Sequence, residues 1–242
     1  MIWPRRHLSP GAPITANAIT DVAMDFAYIL EALPDLMSGL KMTLLVSVIA
    51  IFLSCIIGAI GAVLRTSGIK TLEYAVTAYV EFIRGTPYLV QIFFIFYGLP
   101  SLGLRFSIFW SGVIALTTWA SAFQIENFRA GLAAVGRGML DASASLGLKR
   151  WHYGLFIVLP LAARAALPSS MNTIVATIKN SAYLQAIGLV ELTFVAVDRI
   201  AYDFRAIEMF ASICVIYLLC VFMASGLGFM VERRLDRPFA GR

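Results

Sequence analysis

Charged positions divide the chain into long apolar runs. Met42 to Leu64 is 23 residues without a charge, closed by Lys41 and Arg65. Gly85 to Leu104 and Phe106 to Ile125 are 20 each, and Met209 to Val231 is 23. A helix rises about 1.5 Å per residue, so runs of this length match a bilayer core of about 30 Å. The pattern predicts four helical spans directly. In the first, Ala50, Ser54, Gly58 and Ala62 recur every four residues. Small residues at that spacing let helix backbones approach closely in lipid. Pro87 stands at the head of the second run. It lacks an amide hydrogen and crowds the carbonyl four residues back, so a kink or a helix start is expected there.

A fifth span is less direct. Apolar character returns at Tyr153, but Pro160, Arg164 and Pro168 are expected to break it. Only 14 uncharged residues separate Arg164 from Lys179, roughly 21 Å of helix and too short to cross. The run resumes after Ser181 and continues to Val190, so this span forms only with Lys179 inside the membrane. If it starts near Pro168, Lys179 lies roughly 17 Å in, close to the midplane. The expected fold class is an all-α polytopic membrane protein with about five transmembrane helices.

Composition supports that class. Of 242 residues, 60% are hydrophobic and 14% charged, against about 45–50% and 25% in soluble domains. A soluble ball, a disordered chain and a disulfide scaffold are excluded on these numbers. Cys55, Cys214 and Cys220 all lie in apolar runs, and His7 and His152 lie outside them. Metal chemistry and a Ser–His hydrolase within the membrane are thereby removed. The net charge of +5 sits mostly between apolar runs, where it fixes membrane orientation; nucleic acid is not an expected partner. With the N-terminus outside, segments 65–73, 126–152 and 232–242 are inner and carry 2, 4 and 4 Lys or Arg. The outer segments hold Arg105, Arg199 and Arg205, so N-out and C-in is the expected topology. Arg5 and Arg6 are followed by a Pro-rich polar stretch with no apolar core, unlike a cleaved signal. The domain reading is a tail and acidic lead-in over 1–35, a transmembrane domain over 36–235, and a cytoplasmic tail over 236–242.

The loop at 126–160 reads ENFRAGLAAVGRGMLDASASLGLKRWHYGLFIVLP. A short helix over Met139–Leu146 fits, capped by a left-handed Gly147, with a second helix opening at Lys149, Arg150 and Trp151. The small residues Ala142, Ser143, Ala144 and Ser145 let such an elbow sit closely in a partner's groove. Asp141, Ala142, Ser143, Gly147, Ile157, Leu159 and Pro160 fall in a spacing that resembles the coupling motif of ABC-transporter permeases. Asp141 replaces the usual Glu and Ser143 the second Ala. EFIRGTPYLVQIFFIFYGLP (81–100) and IKNSAYLQAIGLVEL (178–192) are similar to signatures of the polar amino-acid permeases within that group.

The resemblance covers about residues 36–235. It implies the type I importer fold, and a permease of histidine, glutamine, arginine, glutamate or opine type in a bacterial inner membrane. It also implies two copies of an ATPase subunit that hold ATP and Mg, a second permease copy or a related permease, and a periplasmic binding protein. The chain has no Gly-x-x-x-x-Gly-Lys-Ser/Thr loop to cradle nucleotide phosphates, so no bound cofactor and no enzymatic activity are expected of it. Charged and polar groups inside the apolar runs are candidates for the substrate route or its gate, because lipid excludes them. They are Glu81, Arg84, Gln91, Gln124, Asn172, Lys179, Asn180 and Ser181. Glu81 and Arg84 are spaced to pair on one helix face, or to lie wet on an interfacial helix. Arg164 is placed to snorkel to the inner surface. Lys179 has a scaffold alternative, capping carbonyls or pairing with a buried acid. A stand-alone secondary carrier or channel is the competing function, but the internal repeat many carriers show is not evident.

Overall fold

The computed structural model describes residues 24–236, so the rest of the expected N-terminal and C-terminal tails lies outside the described residues. All regular structure among those residues is helical. α1 runs Phe26–Arg65 and begins well before the apolar run does. Asp25 caps it, accepting from the Tyr28 amide at 3.1 Å. The acidic lead-in is thus the first turns of α1, and Ala32 and Leu36 are fully buried there against α8 and α9. Its charges are tolerated because that end lies beyond the uncharged stretch.

α2 (Lys70–Gly85) and α3 (Tyr88–Phe93) meet at Thr86–Pro87 with a bend of 108°. Pro87 is the N-cap of α3, so the start foreseen there is what forms. The span expected over Gly85–Leu104, with its kink or start at Pro87, is not one regular α-helix. α3 passes into a π turn over Phe94–Gly98 and a 3-10 turn over Leu99–Leu102, and the bent pair together makes one apolar crossing.

α4 (Ile108–Ala133) carries the third span and continues two turns past Glu126. α5 (Arg137–Ser145) and α6 (Arg150–Tyr153) form the elbow. A π turn over Gly154–Val158 then leads into α7 (Leu159–Asn180), and a 3-10 stretch extends it to Ile187. Trp151–Ile187 is one apolar candidate span, so the expected break at Pro160 and Pro168 does not occur. Pro160 sits in the first turn of α7, where its missing donor costs nothing, and the π turn before it relieves the ring's clash. α8 (Leu192–Asp203) is a short helix within what hydropathy marks as a loop, and α9 (Ala206–Asp236) is the last span.

The core forms where α1, α4 and α7 meet. Val46, Ala50, Val113, Leu116, Leu184 and Leu189 make one buried cluster. The predicted small-residue face of α1 is buried: Ala50, Ser54, Gly58 and Ala62 all lie inside. A Cβ at Gly58 would meet Gln124 at 2.6 Å, and one at Gly131 would collide with the Ala162 carbonyl. Glycine is therefore what lets α4 cross both neighbours closely. The outward faces stay apolar: Phe52, Ile60, Phe210 and Phe222 are more than half exposed, as lipid contact requires.

Candidate functional site

The elbow occupies the end of the bundle where α1, α4 and α9 finish. α5 begins at Arg137, two residues before the expected start, and ends at Ser145. Gly147 has φ +72° and is left-handed, as its position requires. The Leu148 amide donates to the Ser143 carbonyl at 3.1 Å and the Leu146 amide to that of Ala142 at 3.2 Å. These bonds satisfy carbonyls that the helix end would otherwise leave open. Ser143 is buried, whereas Ala142 is exposed. Leu146 and Trp151 stand 79% and 59% exposed, which leaves an apolar knob projecting from a charged end. The side chain of Asp141 lies outside the described residues. Ile157 belongs to the π turn, and Leu159 and Pro160 open α7, so the motif spans elbow and helix root together.

Beside the elbow, Glu126 of α4 is clamped by two guanidinium groups. Arg65, the last residue of α1, forms one ion pair with it. Arg129 forms the other, with Nη2 and Nε 3.0 and 3.2 Å from Oε2. Glu81 and Arg84 do not pair with each other. Arg84 lies over the Phe123 ring at 5.2 Å, which turns it toward the bundle.

The remaining polar candidates divide by what their side chains already do. Gln91 is buried, and its Nε2 donates to the Ile83 carbonyl at 2.7 Å and the Thr86 hydroxyl at 2.8 Å. It fastens the bend between α2 and α3. Gln124 is fully buried and bridges helices, donating to the Ser170 carbonyl at 3.4 Å and accepting from Asn127 at 3.2 Å. Ser181 is buried and donates to the Ile178 carbonyl at 2.7 Å. Asn180 is half-buried. Asn172 is exposed and lines a cleft of about 290 Å³ between α7 and α9, with Met171, Ser225 and Glu232.

Lys179 is exposed, and its depth follows from the helix registers. Gly112 of α4 lies against Leu184, Gln124 reaches Ser170, and Gly131 abuts Ala162 and Ala166. One residue forward along α4 is thus one residue back along α7. Lys179 falls level with Leu116 and Thr117, in the middle of the Phe106–Ile125 run. Gly228 against Met171 sets the register with α9 and places Lys179 level with Cys220, the centre of Met209–Val231. Lys179 is therefore at mid-depth, but in a helix entering from beyond Pro160 rather than one starting at Pro168.

Glu191 was not singled out by the sequence. It is fully buried and caps α8, accepting from the Thr193 and Phe194 amides at 2.9 and 2.7 Å. It also accepts from the Tyr217 hydroxyl at 3.1 Å and the Thr43 hydroxyl at 3.3 Å. Burial pushes its carboxyl above the usual range, and these donors pull against that. The signal available was an acid just before an apolar run, the position of a helix cap. Among the described residues no three His, Cys, Asp or Glu converge to hold a metal.

Four apolar crossings and a bent pair, packed through glycines and ending in a projecting helical elbow, define the membrane-spanning part of a transport system. Residues 50–237 match the family described as binding-protein-dependent transport system inner membrane component, and the chain belongs to that family. It is a multi-pass inner-membrane transport permease rather than a catalytic subunit. It is 34% identical over 215 residues to the glutamine transport system permease protein GlnP of Escherichia coli K12, covering 88% of this chain and 96% of that one. The octopine transport system permease protein OccM of Rhizobium meliloti is 32% identical, with 86% and 89% covered. A solved amino acid ABC transporter chain, crystallised with histidines, superposes with a TM-score of 0.81 at 33% identity, covering 87% of this chain and 98% of that one. A chain of the MetNI methionine ABC transporter, at 19% identity and a TM-score of 0.69, shares the fold over 83% of this chain and 96% of its own.

Proposed function

We propose that the chain is the permease subunit of an importer that carries polar amino acids or opine-like derivatives, driven by ATP hydrolysis on a partner subunit. ATP and Mg are held by two ATPase copies, and a periplasmic binding protein delivers the solute. A second permease, the same or related, completes the route. The N-terminus is outside and the C-terminus cytoplasmic. Support for the substrate class comes from the glutamine and octopine relatives. Support for coupling comes from one observation, the elbow closed at Gly147 with Leu146 and Trp151 projecting. A short rigid helix with an apolar knob and small residues on its flank fits a groove on a partner. Closure of the ATPase pair then moves α4 and α7, whose ends the elbow joins.

The test is co-purification of the ATPase and amino-acid-stimulated ATP hydrolysis in vesicles containing the binding protein. Gly147→Val forces a branched Cβ into a left-handed backbone. Stimulated hydrolysis is expected to fall at least about tenfold, the equivalent of about 1.4 kcal/mol of lost coupling. Full stimulation in that variant would show that the elbow does not couple.

A further inference from the structure

The cleft between α7 and α9 changes character along its length. Its mouth is at the elbow end, where Val231 closes the apolar run of α9 and Glu232 and Arg233 follow. Charged side chains at the end of a span stand at the level of the lipid headgroups. Glu232 is half-buried and lines the cleft. Arg233 stands at the rim, with its guanidinium 4.3 Å from the centre of the Phe229 ring, and Phe229 is a wall of the cleft. Among the described residues neither side chain forms an ion pair, with the other or with a third group. Deeper in, Gly228 lets α9 close on α7, since a Cβ there would lie 2.6 Å from the tip of Met171. That contact puts Leu167 level with Glu232 and Val175 one turn deeper than Met171. Leu167, Met171 and Val175 recur every four residues and make an apolar wall roughly 12 Å long. Asn172 and Ser225, both exposed, place an amide and a hydroxyl partway along it. From the mouth inward the cleft offers a carboxylate beside a guanidinium, then two hydrogen-bonding groups, then hydrocarbon.

We propose that this cleft binds a phospholipid whose headgroup carries a primary ammonium, of the ethanolamine type. The order of its groups matches the order of the cleft. The ammonium donates to the Glu232 carboxylate, and the phosphate, two carbons away, accepts from the Arg233 guanidinium. The ester carbonyls lie just inside the phosphate and accept from the Asn172 amide and the Ser225 hydroxyl. One acyl chain then runs along Met171 and Val175 into the hydrocarbon. Both charges at the mouth are answered only by a headgroup that carries both signs. A glycerol headgroup leaves Glu232 bare, and a choline headgroup has the charge but no N–H to donate. The site does not depend on which solute is carried. Its occupant fills the space between α7, the helix that roots the elbow, and the last span.

The experiment places the complete complex, with its ATPase, in vesicles holding equal parts of ethanolamine, choline and glycerol phospholipids with identical acyl chains. The complex is then released in detergent, and the lipids it retains are identified by native mass spectrometry. Relative to the vesicle, the ethanolamine lipid should be enriched over each of the others by at least about tenfold, the preference that one charge-assisted hydrogen bond supplies. Glu232→Gln and Arg233→Met should each bring that preference below about twofold. Ser225→Trp, which fills the cleft and leaves both charges in place, should do the same. Arg234→Met should keep the preference, because Arg234 is next in sequence but not at the cleft wall. A wild-type complex without enrichment, as follows if a second permease covers the cleft, would overturn the proposal. So would equal retention of the choline lipid, or enrichment that survives Glu232→Gln or Ser225→Trp. Loss in Arg234→Met as deep as in Arg233→Met would make the effect one of diffuse surface charge, and overturns the site too. If only one of Glu232→Gln and Ser225→Trp assembles, that variant decides; if neither does, the cleft is a packing surface and the proposal fails.

Discussion

Four donors converge on Glu191, and two of them are the first free amides of α8. The carboxylate thereby does the work of a helix cap while tying α8 to Thr43 of α1 and Tyr217 of α9. The Tyr217 hydroxyl has one proton and gives it to Glu191, so the Thr193 hydroxyl, 2.9 Å away, donates to Tyr217 in turn. Glu191→Ala should strand these donors in a dry site and cost roughly 2–4 kcal/mol. A thermal scan of the detergent-solubilised complex should show a midpoint several degrees lower, with Glu191→Gln falling between the two; an unchanged midpoint in the alanine variant would refute this account. Little of it was legible in the sequence. Thr43 and Glu191 are 148 positions apart, and no periodicity records a contact over that distance. Gly147 was legible, because its requirement is local: a helix end needs a left-handed residue, and glycine adopts that backbone without strain.

Elements were legible to the extent that hydropathy reports depth. The charge-free runs at 42–64 and 209–231 fall inside helices, as does 106–125 but for its first two residues, and each helix continues past the end of its run. Hydropathy marks where lipid begins, not where hydrogen bonding stops. α7 was hidden by Pro160 and Pro168: the π turn that relieves Pro160 was not foreseen, and Pro168 is carried inside α7 without ending it. The bend between α2 and α3 was foreseen at Pro87, but its fastening was not. Gln91 reaches back across the break to the Ile83 carbonyl, which the turn leaves without a helical partner. Gln91→Leu should leave that carbonyl with only the long 3.4 Å bond from the Thr86 hydroxyl and cost roughly 1–3 kcal/mol. Gln91→Glu should be worse, setting carboxylate oxygens against carbonyl oxygens. Both are read from the melting midpoint of the complex, and a Glu variant as stable as the wild type would contradict the geometry.

For the molecule as a whole, the balance of charge at its two ends carries a topology. The elbow, Arg65, Arg129 and the Arg233–Arg234 pair gather at one end. At the other, Arg199 pairs with Asp35 at 2.7 Å and Arg205 with Asp25 at 3.3 Å. A larger number of Lys and Arg residues on one side, paired or not, is what retains that side in the cytoplasm. A reporter fused after Arg242 should therefore be cytoplasmic, and a tag beside Asp198 on α8 should react with membrane-impermeant reagents from outside. The opposite pattern would invert the assignment. The number of crossings and the elbow were legible because both leave a signature in a single run of sequence. The assembly of α1, α8 and α9 into one outer cluster was not, since its buried residues come from segments that each look like a separate span or loop.

The length of α1 has a mechanical meaning. Its 40 residues make a rod of about 60 Å, twice the thickness of the layer it crosses. One tip is pinned through its cap Asp25 to Arg205 at the head of α9, and the other through Arg65 to Glu126 of α4. For a beam pivoting near its middle, a rotation of about 5° carries each tip roughly 2.5 Å, in opposite directions. Push and pull at one water-facing surface are thus returned, reversed in sign and undiminished, at the other.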